Sequence, residues 1–169
     1  MSDETGDGQT PPTDPIAALT RSAAEVEAAA RAVIQASGGA VHDTATNGSD
    51  WNPPVIMGHL CDGARVWGGR IRVLAREEEP SLEAFDEGLA IRVAGYHWKG
   101  LEPLLAEFRI VSEDTLAFLR GLPVDAWERT GRHPALGRVT IRDLARVESA
   151  HEQEHAQQLL ATLARGRSA

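Results

Sequence analysis

The stretch TIRDLARVESAHEQEHAQQLL, residues 140–160, is predicted to form the last helix of the chain. Thr140 and Asp143 match the capping box with which many helices begin. The following apolar side recurs at three- and four-residue steps through Ile141, Leu144, Val147, His151, His155, Leu159 and Leu163. Two histidines four residues apart lie about one helical turn apart on the same face. The pattern therefore predicts two imidazoles on the core-facing side, close enough to share one metal ion.

Two earlier helices are predicted from the way they begin. Asp14-Pro15 and Asn52-Pro53 each join an N-cap acceptor to a proline in the first turn. Apolar residues then recur with the helical period after each pair. The first helix is expected to end at Ser37-Gly38-Gly39, and the second is expected to end near Arg76.

The rest of the chain completes a helical bundle. A third amphipathic helix is predicted over residues 101–120, and Gly121 and Pro123 stop it. Residues 81–99 have no clean period, so we expect a long connection with some short helix, of the kind that often binds ligands. Residues 122–139 are expected to form a loop. Four amphipathic helices without a convincing strand predict an all-α four-helix bundle, with loops long enough for a non-meander topology.

Composition limits the class of protein. The 169 residues suit one domain, predicted over residues 14–165, behind a disordered tail at 1–13 that is rich in Asp, Gly, Thr and Pro. The net charge of −8 argues against nucleic acid or an anionic membrane as partner. A single cysteine excludes an internal disulfide, and the N-terminus resembles no secretory signal. We therefore expect a cytoplasmic protein that acts on a small molecule.

The six histidines do not all have the same expected role. His42, His97 and His133 lie in predicted loops, where a surface or structural role is expected. His59 lies on the second helix, about 40° from Gly63 and at the edge of the apolar stripe. Its side chain should therefore point inward or towards the end of the bundle.

The resulting hypothesis is a mononuclear metal site made by His59, His151 and His155. Burying three imidazoles is costly unless each has a partner, and one divalent ion serves all three. Three protein nitrogens leave one coordination position open, as in catalytic zinc sites. Imidazole ligands suit zinc, nickel, copper or iron, and we expect zinc or nickel.

Two other metal motifs fit less well. The sequence 151-HEQEH-155 also matches the zinc-protease pattern, with Glu152 as general base, but no Asp, Glu or His follows His155 as a third ligand. We instead expect Glu152 on a solvated helix face, and the alternative is a group that supports a ligand or transfers a proton. A di-iron site needs Glu-x-x-His on two helices, whereas both copies here lie on one helix and Ile56 occupies the required position before His59.

Three other side chains near the predicted site have modest expected roles. Cys61 is about 200° around its helix from His59 and is predicted to be a small buried residue. Asp62 and Glu148 are expected either to orient ligand imidazoles or to be ordinary surface carboxylates.

Several segments resemble the DinB-like superfamily, and together they span about residues 14–163. They are 51-WNPP-54, 56-IMGHL-60 with Arg70, 100-GLEPLLAEFR-109, 126-AWER-129 with Gly131, His133-Pro134 and 137-GRVT-140, and the pair His151 and His155. The resemblance implies an up-down-down-up four-helix bundle. It also implies a metal held by His59, His151 and His155. Ser112 departs from the family pattern, because many members carry Arg in the third helix.

The resemblance implies a range of activities. Some members are transferases or isomerases that depend on a low-molecular-weight thiol, and others are stress-associated proteins without an assigned reaction. Many members are homodimers, so the resemblance implies a homodimer here as well. We therefore predict a metal-dependent thiol S-transferase or hydrolase, with a thiol as co-substrate in the first case and substrate held near residues 81–98. The alternatives are a non-catalytic metal-binding stress protein and a metal-free helical dimerisation module.

Overall fold

The computed structural model describes residues 14–38 and 51–166, so the predicted tail over residues 1–13 lies outside the described residues. The helices are α1 (Pro15–Ala36), α2 (Pro53–Arg76), α3 (Glu87–Ala94), α4 (Leu101–Arg120) and α5 (Ile141–Gly166). Short 3-10 helices cover Tyr96–Trp98 and Val124–Glu128, and strands β1 (Thr130–His133) and β2 (Gly137–Thr140) form a hairpin. None of the described helices is long and apolar enough to cross a bilayer.

The predicted helix starts are confirmed by their capping hydrogen bonds. The Asp14 side chain accepts from the amide of Ile16 at 3.0 Å, and Asn52 accepts from the amide of Val55 at 3.0 Å. At the start of α5, the Asp143 carboxylate accepts from the Thr140 amide, and the Thr140 hydroxyl accepts from the Asp143 amide. These local bonds pair backbone N–H groups that have no partner within a helix.

Two apolar clusters fill the bundle, and the order in which each helix crosses them gives its direction. The first cluster includes Val26, Leu60, Phe108 and Leu159, and the second includes Leu19, Ile71, Leu116 and Leu144. Along the chain, α1 and α5 run from the second cluster to the first, whereas α2 and α4 run from the first to the second. The expected up-down-down-up bundle is therefore confirmed. The helix pairs α1 with α5 and α2 with α4 pack most extensively.

The expectation of a plain loop over residues 122–139 is wrong, because this segment of the otherwise helical bundle contains the β1–β2 hairpin. Gly137 occupies a left-handed conformation with φ of 75°, which suits glycine at the turn. Arg132 also exchanges two backbone hydrogen bonds of 2.8 Å with Pro80 and Leu82. Each strand has only four residues, too few to show the alternation of apolar and polar residues that predicts a strand. Part of their pairing is also with a segment that is distant in the sequence.

The connection between α2 and α4 contains short helices, as expected. The Asp86 side chain caps α3 by accepting from the Leu89 amide at 2.9 Å. No residue of α3 is buried, so this helix lies on the surface. The buried Tyr96 ring anchors the connection against Gly58 of α2, where any Cβ would overlap the ring.

Candidate metal centre

Helices α2 and α5 bring His59, His151 and His155 together. The centroids of the three rings are 4.6 to 4.8 Å apart, and one ligand nitrogen from each ring lies within 4.8 Å of the other two. His59 is buried, and the other two rings are half-buried. The geometry therefore offers three imidazole nitrogens to a single ion.

The spacing of the nitrogens is compatible with a metal ion after small ring rotations. The Nε2 atoms of His59 and His151 are 2.7 Å apart, a distance that suits a hydrogen bond between neutral rings. Two nitrogen ligands of one tetrahedral zinc, each about 2.0–2.1 Å from the ion, are about 3.3 Å apart. At this pair the difference is small enough for side-chain rotation to supply, and the His155 nitrogen, within 4.8 Å of both, completes a three-imidazole donor set of the kind that binds a divalent ion.

Two neighbouring side chains orient the His155 ring. The Gln158 carbonyl oxygen lies 2.6 Å from Nδ1 of His155, and because a carbonyl only accepts, Nδ1 carries the proton. This hydrogen bond leaves the lone pair on Nε2 of His155 for a metal ion. Trp51 stacks on His155 with a centroid separation of 5.7 Å and meets His59 edge-on at 4.8 Å. No role was expected from the sequence for Gln158 or for the Trp51 ring.

Burial keeps two of the candidate ligands, His59 and His151, neutral. It is the main reason why the pKa of His59 falls to about 3 and the pKa of His151 falls to about 4, and the neighbouring imidazoles lower both values further. Neutral imidazole is the form that binds metal ions. At pH 7 these two rings are therefore already in the ligating protonation state.

Gly63 provides the space that the His151 ring occupies. A Cβ at this position would lie 2.7 Å from Cε1 of His151, well inside van der Waals contact. Gly63→Ala is therefore expected to displace the ring and weaken zinc binding by about tenfold to a hundredfold, as other changes beside metal ligands do. A competition titration against a chelator measures this.

Gly69→Ala is the matched control, because nothing lies within 4 Å of a Cβ at that position on the same helix. Both substitutions remove a flexible glycine from α2, and each adds up to about 1 kcal/mol of helix propensity. Equal zinc affinities in the two variants would contradict the role assigned to Gly63.

The expectation of a solvated Glu152 is wrong. The residue is 1% exposed, and its carboxylate accepts a hydrogen bond from the Ser22 hydroxyl of α1. Burial raises the pKa of Glu152 to about 8, although the Ser22 bond acts in the opposite direction. Because α1 covers this side of α5, the carboxylate faces α1, and the zinc-protease interpretation loses its general base.

Glu148 is also buried, so its interpretation as a surface carboxylate is wrong. It is 1% exposed, and neither carboxylate oxygen has a hydrogen-bond partner among residues 14–38 and 51–166. Burial, followed by repulsion from Glu152, raises the pKa of Glu148 well above its usual value. Glu148 therefore does not orient an imidazole by a hydrogen bond, which was its other expected role. The same holds for Glu152, whose carboxylate is hydrogen-bonded to Ser22.

The other residues near the site are occupied elsewhere. Cys61 is buried as expected, and its thiol donates to the Leu104 carbonyl oxygen at 3.3 Å. Burial is the main reason why the pKa of Cys61 rises to about 12, so the thiol stays protonated. The Asp62 carboxylate lies 3.6 Å from the Arg65 guanidinium, in an ion pair within α2.

A cavity of about 350 Å³ lies beside the histidines. Its lining includes His59, Gly63, Val66, Trp67, Arg70, Phe85, Glu87, His133 and His151. His133, expected to have a surface or structural role, lies at the end of β1 and stacks on Trp67 with a centroid separation of 5.6 Å. His97 is exposed, and His42 lies outside the described residues. Sequence spacing carried no signal for His133, because the hairpin brings it to the cavity.

Comparison with known proteins agrees with this architecture. No curated protein matches the sequence. Among solved structures, YfiT from Bacillus subtilis matches with a TM-score of 0.70 and 17% identity, over 99% of this chain and 93% of YfiT. YfiT is described as a probable metal-dependent hydrolase with an unusual four-helix bundle topology, and at this identity the similarity concerns the fold. A family model described as the DinB superfamily matches residues 18–159, so the chain belongs to the DinB superfamily.

Proposed function

We propose that the protein is a metal-dependent hydrolase whose single divalent ion is held by His59, His151 and His155. The observation that carries this proposal is the convergence of three imidazole donors beside a cavity large enough for a small molecule. The description of YfiT as a probable metal-dependent hydrolase supports the same reaction class. Zinc and nickel are among the metals that suit three neutral nitrogen donors, and they are the two proposed here.

The residues of the chain have distinct tasks in this function. A bound divalent ion would supply Lewis acidity at the coordination position that the three imidazoles leave open. The hydrogen bond from Nδ1 of His155 to Gln158 holds one ligand ring in place, and Trp51 packs against the same ring. Burial keeps His59 and His151 unprotonated. The cavity positions the substrate next to these two rings.

The test begins with protein purified without a histidine tag and analysed for metal. Chelator-treated protein is then reconstituted with Zn²⁺ or Ni²⁺ and offered a neutral phenyl ester, an anilide and a phosphodiester. We expect hydrolysis of at least one substrate, a loss of at least about a hundredfold on chelation, and recovery on adding metal, because the ion supplies the main electrostatic stabilisation. Hydrolysis that chelation leaves unchanged would contradict the proposal.

Further assays separate the hydrolase from the other predicted functions. Incubation with a small thiol and an epoxide or chlorinated electrophile tests thiol transfer, in which the ion would lower the pKa of the thiol. If thiol conjugation is the metal-dependent reaction and hydrolysis is absent, the protein is the predicted thiol S-transferase. If chelation lowers the melting temperature and no reaction occurs in either assay, the metal has a structural role.

A further inference from the structure

We propose that the cavity beside the candidate metal centre binds a small carboxylate substrate, and that Arg70 is the residue that recognises its carboxylate. This inference rests on the proposed function, because it names the class of substrate that the same site would take. In this proposal the choice of substrate depends on a side chain of the protein, Arg70, and not on the metal ion.

Arg70 is held in position without being neutralised. Its Nη2 donates to the Glu83 carbonyl oxygen at 2.9 Å, and its guanidinium carbon lies 4.7 Å from the centroid of the Trp67 ring. Both partners orient the guanidinium, but neither carries a negative charge. A planar guanidinium fixed in this way is suited to binding a carboxylate through two parallel hydrogen bonds.

Other arginines of α2 are paired differently. Arg65 forms ion pairs with Asp62 and Glu107, and Arg72 pairs with Asp114 at 2.6 Å. Among residues 14–38 and 51–166, no acidic side chain lies within ion-pair distance of Arg70. The half-buried guanidinium at the cavity is therefore a charge for which the described part of the chain supplies no close counter-ion.

The electrostatic surroundings of Arg70 favour an anionic partner. Burial lowers the pKa of Arg70, and the exposed Glu87 at the same cavity partly opposes this effect from a longer distance. The Arg70 guanidinium and the Glu87 carboxylate oppose each other in charge, so a bound divalent ion at the histidines would be the main positive charge of the site, and Arg70 adds a directional donor for one carboxylate. A single carboxylate that approaches closer than Glu87 would supply the missing counter-ion.

Beside Arg70, His133 holds a buried N–H without a partner among the described residues. Its Nδ1 accepts from the amides of Ala135 and Leu136, at 3.2 and 3.1 Å. The proton of the neutral ring is therefore on Nε2, and this N–H has no hydrogen-bond partner in the described part of the chain. His133 and Arg70 contact the same Trp67 ring, so two donors flank one aromatic surface.

The rest of the lining indicates the body of the substrate. Trp67, Val66 and Phe85 present apolar surface to a cavity of about 350 Å³, near the small end of the usual range for ligand sites. An aromatic or aliphatic acid of modest size matches this combination of apolar surface and one cationic group. The inferred substrate is therefore a small apolar molecule with one carboxylate.

A binding experiment tests this inference without any turnover. Benzoate and its neutral analogue benzamide are titrated into the Zn²⁺-loaded protein, and binding is followed by calorimetry and tryptophan fluorescence. We expect benzoate to bind at least about tenfold more tightly than benzamide, because a charge-assisted pair is stronger than a neutral hydrogen bond. Equal affinities, or no detectable binding of benzoate, would overturn the inference.

Two variants and one control assign the preference to Arg70. Arg70→Gln is expected to abolish the preference for benzoate, and Arg70→Lys is expected to keep part of it, because lysine retains the charge without the planar fork. Arg76→Gln, which removes an exposed arginine of the same helix outside the cavity lining, should leave the preference intact. A preference that survives in a folded Arg70→Gln protein would show that benzoate binds the ion, and it would refute the role of Arg70.

The two proposals fail in distinguishable ways. If no ester is hydrolysed but the benzoate preference depends on Arg70, the hydrolase is refuted and the carboxylate site stands. Suppose that neutral esters are hydrolysed, and that an ester carrying a carboxylate has the same KM in the wild type and in Arg70→Gln. The hydrolase then stands and the carboxylate site is refuted.

Discussion

His59→Leu is expected to remove most of the thermal stabilisation that zinc gives to the wild-type protein. Removing one of three ligands should weaken binding roughly a hundredfold or more, given the large free energies of protein–zinc binding. Zinc at a hundred times its dissociation constant stabilises a protein by about 2.7 kcal/mol, and the variant should lose most of this shift. Calorimetric melting with and without Zn²⁺ measures the difference. His97→Leu, which replaces an exposed histidine, is the control.

The same variant distinguishes a metal site from a structural cluster of histidines. His59 is 3% exposed, and its hydrogen bond to His151 is the partner that a purely structural role would require. Leucine removes a buried polar group and fills much of the space, so the metal-free variant should be at least as stable as the metal-free wild type. Two results together would refute the metal site: a strongly destabilised metal-free variant, and a wild-type melting temperature that does not change when zinc is added.

Glu148→Gln is expected to stabilise the protein increasingly as the pH rises from 4.5 to 8. The raised pKa means that folded Glu148 keeps its proton at a pH where the unfolded chain, with a pKa of about 4.5, has released it. The free energy of unfolding of the wild type therefore falls with rising pH, by up to about 1.4 kcal/mol per pH unit. This contribution is complete below pH 4.5 and is lost as the pH passes the raised value. Glutamine removes the titration while nearly keeping the shape.

Chemical denaturation of both proteins between pH 4 and pH 8 checks this prediction. The stability difference between variant and wild type should be close to zero at pH 4 and should reach about 1–3 kcal/mol at pH 8, the usual penalty for a buried group without partners. Taking this difference cancels the contributions of the histidines. Glu154→Gln, on an exposed position of α5, should show little change with pH. A variant that loses stability at high pH would indicate that a charged Glu148 has a partner.

Most of the fold could be predicted from local sequence signals such as helix-capping residues. The side chains of Asp14, Asn52 and Thr140 cap helices within three residues of themselves, so their effect can be read along the chain without knowledge of the neighbouring helices. The β1–β2 hairpin lacked such a signal. Its strands are short, and Arg132 pairs with Pro80 and Leu82, about fifty residues away.

The candidate metal centre was predictable to the extent that the helical period determines which side chains share a face. The spacing of His151 and His155 follows from that period alone, and the position of His59 at the edge of an apolar stripe indicated that it points inward. The meeting of α2 and α5, which brings the three rings within 4.8 Å, is a contact between distant segments.

The sequence by itself therefore determined the four long helices, the caps of α1, α2 and α5, and the shared face of His151 and His155. Tertiary structure alone decided that α1 covers Glu152, that Glu148 is buried without a hydrogen-bond partner in the described part of the chain, and that Arg70 and His133 line one cavity. The physical reason is the range of the interactions. Capping and periodicity act over a few residues, whereas burial and charge pairing depend on which helix packs against each face.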